Sequence, residues 1–335
     1  MSGTSALDRG TSAANAAGGL KIAVLAGGVG AARFLSGLVD VVPGAEITVI
    51  GNTGDDFLVH GMHVSPDLDS VTYTLCGIGD EQRGWGIRQE SWRALEQLRR
   101  LGEECWFQLG DRDLATHIFR TRRLSEGVAL SEVTRELGLR LGLPLRLLPM
   151  TDQGVTTRVH TEDGRDLHIQ EYLVREACQP AISAVEFRGA ERARPAAGVL
   201  EAIGQAEVVI VAPSNPVISI GPILSIPQIR EAVRSAPLVA AVSPIVVGRA
   251  IKGPAAAMLQ ALGLEVSPIG VADYYGELVQ LLVMDEQDRG LLAAFQPRRL
   301  ATHVCDTMMV SAAARRNLAL EVLRACQLTQ AVAPK

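Results

Sequence analysis

The stretch from Lys21 to Asp69 restricts what this chain can fold into more than any other. It contains, in order, KIAVLA, GGVGAAR, FLSGLVDVV, EITVIG, NTGDD and SPDLD. KIAVLA is too short and too β-branched for a helix, and its apolar run suits a parallel strand covered on both faces. Gly27, Gly28 and Gly30 let the backbone turn sharply and approach a ligand closely. The free N–H groups at the start of the next helix favour an anion, most often a phosphate. EITVIG repeats the strand signal, so Lys21 to Asn52 reads as the βαβ half of a nucleotide-binding sheet.

Two familiar patterns fail here. The dinucleotide fingerprint needs a third glycine where this chain has Arg33, and an acid at the end of the second strand, which here is Asn52. The P-loop pattern needs a Gly-Lys-Ser/Thr that does not follow. A phosphate-holding turn is expected, and a nicotinamide cofactor is not.

The 335 residues are 47% hydrophobic and 21% charged, as in a globular enzyme with a sizeable core. The net charge of −5 comes without a basic run, which argues against a nucleic-acid partner. Arg120, Arg122 and Arg123 read as a solvated helix end. Met1 to Gly19 is rich in Ser, Ala and Gly and lacks a signal-peptide pattern. The expected organisation is a disordered tail over 1–20 and one α/β domain over 21–335, interrupted at about 145–190. No apolar run is long enough to span a membrane. Five cysteines without a CxxC fit reduced thiols in a cytoplasm.

Asp55 and Asp56 lie in the loop after the second strand, at the edge where ligands sit in open α/β sheets. His60 and His63 have a metal-compatible spacing but no third ligand, so they read as ordinary polar side chains. Ser65 and Pro66 predict a helix start, with Asp67 and Asp69 in its first turn. Four carboxylates within fifteen residues, beside a phosphate site, suit Mg²⁺, which shares its shell with substrate phosphates. Asp111, Arg112 and Asp113 open another helix, with His117 one turn on. RVHTEDGRDLHIQ alternates about Asp163-Gly164, predicting a hairpin with a type I′ turn and solvent-facing His160 and His168. Later strand ends carry Ser214, Asn215 and Pro216, then Ser243; Lys252 and Gly253 open a helix through Leu262. Ser225 and Gln228 predict a capping box. Tyr274 and Tyr275 either stack on a flat ring or pack. With no candidate nucleophile, such a site suits metal-assisted transfer of a phosphorus group.

GGVG at 27–30, NTGDD at 52–56, SPDLD at 65–69 and LGDRDLATH at 109–117 occur together with PMTD at 149–152, APSNP at 212–216, GPI at 221–223 and VSPI at 242–245. In this order and spacing they resemble the 2-phospho-L-lactate transferase family of deazaflavin coenzyme biosynthesis, over about Lys21 to Gln327. The resemblance implies a Rossmann-like three-layer α/β fold with a mainly parallel sheet and a small antiparallel hairpin. It implies an Mg²⁺-dependent transfer from a guanosine-diphospho-activated acid to the ribityl hydroxyl of the deazaflavin Fo, releasing GMP. The acid is 2-phospholactate or phosphoenolpyruvate, with phosphoglycerate donors also known in the family. The glycine turn (Gly27, Gly28, Val29, Gly30) and Ser214-Asn215 would hold the guanosine-diphosphate part, and Asn52, Pro216, Ser243 and Gly253 would also bind substrate. Asp55, Asp56, Asp67 and Asp69 would supply metal ligands and orient the attacking hydroxyl, with Asp55, Asp56 and Asp69 on the metal, Asp67 counted among the substrate-binding residues, and Asp69 preferred to Asp67 for the crevice. Asp111, Arg112, Asp113 and His117 would line the Fo side. Gln108 stands where archaeal members tend to have lysine. A homodimer is expected.

Overall fold

The structure is a computed structural model that describes residues 19–251, 253–298 and 300–332. The tail expected at the N-terminus falls almost wholly outside these residues, as does Lys252. The strands are β1 (Ile22–Ala26), β2 (Ile47–Gly51), β3 (Phe57–Val59), β4 (Met62–Val64), β5 (Arg146–Pro149), β6 (Thr156–Thr161) and β7 (Asp166–His168). They continue as β8 (Ile182–Arg188), β9 (Val208–Val211), β10 (Val239–Val242), β11 (Ile245–Val246), β12 (Arg249–Ala250), β13 (Leu281–Asp285) and β14 (Ala301–Cys305).

Seven of these form one parallel sheet in the order β14-β13-β10-β9-β1-β2-β5. The chain winds outward from β1 through β2 to β5, then returns to β9 on the other side of β1. That is doubly wound topology, with its reversal point between β1 and β9, where the carboxyl ends of the strands leave a crevice. Alternation along β1 explains the three layers. Ile22, Val24 and Ala26 enter one core with Phe34, Leu35 and Leu318, while Ala23 and Leu25 enter the other with Val199, Ile203 and Ile229.

Four helices position the polar residues: α1 (Gly28–Val39), α2 (Pro66–Leu75), α3 (Arg93–Arg100) and α4 (Asp111–Ser125). β6, β7 and β8 form a separate antiparallel sheet that docks on the loop after β2, where the Thr157 N–H donates to the Gly54 carbonyl at 2.6 Å.

Several local expectations change. Arg146–Pro149 pairs with β2 in the parallel sheet, so the antiparallel region starts later than Leu145. Its reversal spans residues 162–165, with Gly164 at φ +85° and Asp163 outside the left-handed region, so it is not a type I′ turn. Ser225 Oγ donates to the Pro222 carbonyl instead of capping the helix Pro227–Arg234. Ser65 Oγ donates to Asp56 at 2.7 Å and leaves the start of α2 uncapped. Tyr274 and Tyr275 pack edge to face against each other. His168 is half-buried with an unpartnered Nε2.

Candidate active site

The cleft at the reversal point occupies about 290 Å³. Its floor is the glycine turn between β1 and α1. A Cβ at Gly27 would lie 2.4 Å from Asp67 Oδ2, and one at Gly30 would lie 2.3 Å from the Pro213 carbonyl oxygen. These two positions therefore admit only glycine, and the loops after β1 and β9 close to backbone contact. Ser214 Oγ fastens them by donating to the Gly27 carbonyl at 2.9 Å. Asn215 caps the next helical turn by accepting from the N–H groups of Val217 and Ile218. Gly28, Val29, Gly253 and Pro244 complete the walls together with Leu173 and Met308.

Two carboxylates face this cleft, Asp55 from the loop after β2 and Asp67 from the first turn of α2. Asn52 holds both. Its Nδ2 donates to Asp67 Oδ2 at 2.9 Å and to Asp55 Oδ1 at 3.4 Å, and its Oδ1 accepts the Gly54 N–H at 2.7 Å. Gln170, just after β7, donates to Asp55 Oδ2 at 2.8 Å. Burial raises the Asp67 pKa to about 7, with the hydrogen bonds from Asn52 and Gly28 opposing it. Burial, then repulsion from Asp67 and Asp56, pushes Asp55 up as well. Neither makes an ion pair among the described residues. A hard divalent cation would relieve this uncompensated charge. Mg²⁺ typically takes one or two carboxylates and completes its shell with phosphates and water, so the pair fits it.

Asp69 lies on a different face of α2. Residues two apart on a helix point roughly 160° from each other. Arg120 of α4 grips Asp69 with both guanidinium amino groups, one at 3.1 Å. Arg120 is only 2% exposed, so the reading of it as part of a solvated helix end is overturned. His117 Nδ1 is 3.8 Å from Asp69, and His117 Nε2 is 3.1 Å from Asp113. Tyr73 donates to Asp113 at 2.6 Å. Burial opposes ionisation of Asp113, yet its bonds to His117 and Tyr73 hold its pKa below the usual range. Of the two α2 carboxylates, Asp67 lines the cleft and Asp69 does not.

The remaining candidates divide in the same way. Asp56 accepts from Ser65 and stands 3.7 Å from His63, away from the cleft. Among the described residues no three His, Cys, Asp or Glu side chains gather as a ligand set, so Asp55, Asp56 and Asp69 do not form one cage. Asp111 accepts from the N–H groups of Arg93 and Ala94 and so caps α3. The Arg112 and Asp113 N–H groups are themselves capped by Glu90. Ser243 bonds locally to Ile245, and Pro216 is buried and does not line the cleft. Sequence reasoning missed Gln170, because nothing local ties a hairpin residue to a loop 115 positions earlier.

Residues 22–325 match the family model described as 2-phospho-L-lactate transferase CofD. A phosphoenolpyruvate transferase of Streptomyces griseus is 43% identical over 318 residues, covering 93% of this chain and all of that one. A 2-phospho-L-lactate transferase of Methanosarcina acetivorans is 40% identical over 296 residues, covering 88% of this chain and 96% of the other. A crystal structure of a UPF0052-family protein from Bacillus halodurans superposes with a TM-score of 0.59 at 16% identity, covering 91% and 98% of the two chains. That likeness concerns the fold alone.

Proposed function

The chain belongs to the 2-phospho-L-lactate transferase family, and from that premise we propose that it transfers a phospho-acid group from a guanosine-diphospho-activated donor to the ribityl hydroxyl of the deazaflavin Fo. The hydroxyl oxygen bonds to the phosphorus that carries the acid, the bridge to the nucleotide phosphorus breaks, and GMP leaves with the bridging oxygen. Two buried, unpaired carboxylates, Asp55 and Asp67, beside a glycine turn carry this reading.

The N–H groups at the start of α1 would receive the diphosphate, and Ser214 and Asn215 hold the opposite wall in place. Asp55 and Asp67 would hold Mg²⁺, which when bound supplies charge neutralisation at the diphosphate. Asn52 fixes both carboxylates, so they need little reorganisation on reaction. Asp69 acts at one remove, by tying α2 to Arg120.

For the acid, phosphoenolpyruvate is favoured. The Streptomyces griseus phosphoenolpyruvate transferase is 43% identical to this chain, against 40% for the Methanosarcina acetivorans 2-phospho-L-lactate transferase. Incubation with Fo, Mg²⁺ and each guanosine-diphospho-activated acid, read by mass spectrometry, tests both points. The expected products are the enolpyruvyl-phospho deazaflavin and GMP. Conversion of the lactyl donor alone would reverse the choice of acid, and no product with any donor would sink the reading.

A further inference from the structure

The two carboxylates of the cleft are held by different amides. Asn52 Nδ2 lies 2.9 Å from Asp67 but 3.4 Å from Asp55 Oδ1, beyond the usual range of an N–H···O bond. The short bond on Asp55 comes instead from Gln170 Nε2, 2.8 Å from Oδ2. Gln170 follows β7, so it reaches the carboxylate from the antiparallel sheet and not from the parallel one. It is 5% exposed and lines the cleft together with Ile169 and Leu173. Its own placement is fixed. The Gln170 N–H donates to His168 Nδ1 at 3.1 Å, and the His168 ring packs on Phe57 with centroids 5.3 Å apart. On the other side of Asp55, the Thr157 N–H bonds the Gly54 carbonyl. The antiparallel sheet therefore clasps the Asp55 loop at both flanks and aims a buried amide at the carboxylate between them. The torsion that turns a carboxylate is soft. Without that amide, Asp55 would keep its position but lose its direction.

We propose that Gln170 is a positioning residue for the transfer reaction, and that through it the antiparallel sheet is a working part of the active site. The proposal rests on the reading of Asp55 and Asp67 as the residues that hold Mg²⁺. Gln170 engages Oδ2, fixes the plane of the Asp55 carboxylate and leaves Oδ1, with only its long bond to Asn52, for the cation. Asp67 owes its orientation to Asn52, so loss of Gln170 disturbs one of the two carboxylates and spares the other. Partners that orient a metal ligand in this way typically contribute about 10–100-fold in metal affinity or activity.

Calorimetric titration of Mg²⁺ into the GDP complex tests this, alongside steady-state kinetics and denaturation midpoints. Gln170→Met keeps the approximate volume and removes the hydrogen bond. It should weaken Mg²⁺ binding and lower kcat by about tenfold or more, while the KM for Fo and the metal-free affinity for GDP stay within about twofold of wild type. Gln170→Asn keeps an amide in the same polar niche but draws it back by one methylene. It should fold like wild type and bind Mg²⁺ as weakly as Gln170→Met. If Gln170 only packs, Gln170→Met loses stability and keeps its Mg²⁺ affinity. That outcome, or wild-type Mg²⁺ affinity in Gln170→Asn, overturns the role of Gln170 alone. A wild-type GDP complex that takes up no Mg²⁺ overturns it together with the metal reading of Asp55 and Asp67.

Discussion

Asp67 and Asp69 are two residues apart on the first turn of one helix, both are buried, and they live in opposite electrostatic worlds. Asp69 faces α4, where Arg120 neutralises it and His117, Asp113 and Tyr73 extend the network. Asp67 faces the cleft, where its neighbours are an amide, backbone and another carboxylate. A buried charge with a buried partner is architecture, because removing either member leaves the other stranded. A buried carboxylate with no cation beside it either holds its proton more tightly, as Asp67 does, or takes a cation from elsewhere. The difference separates a structural role from a chemical one without reference to any relative.

The largest expected effect breaks the structural side. Asp69→Asn leaves the Arg120 guanidinium buried and uncompensated, a loss of about 3–5 kcal/mol of stability. Chemical denaturation should show this as a fall in midpoint. If Asp69→Asn unfolds like wild type but loses turnover, the assignment of roles to the two residues must be exchanged.

Asp67→Asn is the mirror experiment. Turnover should fall by ~100-fold or more, as when a preorganised charge is lost from a transition state. The Asn52 hydrogen bond survives in part, so the midpoint should hold or rise. Normal turnover in this variant would remove Asp67 from the chemistry.

The glycine floor comes next. Gly30→Ala drives a methyl group against the Pro213 carbonyl, which is backbone and cannot swing aside. The loops after β1 and β9 must separate, and GDP affinity should drop by about tenfold or more, since the dislocation removes the N–H cradle. Calorimetry with GDP measures it, and unchanged affinity would place the nucleotide elsewhere.

A smaller effect is expected in the pH dependence of stability with metal removed by EDTA. The fold raises Asp67 to about 7, above its unfolded range. Between about 4 and 7 the unfolded chain has released this proton and the folded one has not. Stability is therefore greatest at low pH within that window and declines as pH rises, by an amount of order 1–3 kcal/mol. Asp67→Asn should flatten the decline, and so should saturating Mg²⁺. A wild-type profile that rises across the window would contradict the burial of this carboxylate.

The sheet and the glycine turn were legible because apolar periodicity and turn chemistry are local signals. KIAVLA and EITVIG became β1 and β2, and Val208–Ala212 and Leu238–Val242 became the next strands towards the other edge. Strand β14 escaped because ATHVC is half-exposed at the sheet edge and carries no continuous apolar run. The four carboxylates were visible as a cluster, but their division was not. That division depends on Arg120, fifty-one residues from Asp69, and on Asn52, fifteen from Asp67. Long-range pairing leaves no mark on a single sequence. Arg120 looked solvated because it stands in a run with Arg122 and Arg123; the helical period puts it on the buried face while Arg122 is exposed.

The smallest effect extends the same contrast to Asp111. The family resemblance puts Asp111 on the acceptor side, yet its two oxygens meet the Arg93 and Ala94 N–H groups and Ser91 Oγ. Those N–H groups open α3 and have no partner within their own helix, so Asp111 caps that helix from a distance in sequence. The Ser91 hydroxyl first, and then the capping N–H groups, hold its pKa down, which keeps it an acceptor at neutral pH. If capping is its whole task, Asp111→Ala should cost about 1 kcal/mol of stability and leave the acceptor KM unchanged. Asp111→Asn should recover part of that, because its side-chain oxygen still accepts from an N–H. If Asp111 also touches the acceptor, KM for Fo should rise in both variants, whatever their stability. Parallel denaturation and acceptor kinetics on the pair separate the accounts, and an unchanged KM in both variants beside the stability loss assigns Asp111, like Asp69, to the architecture.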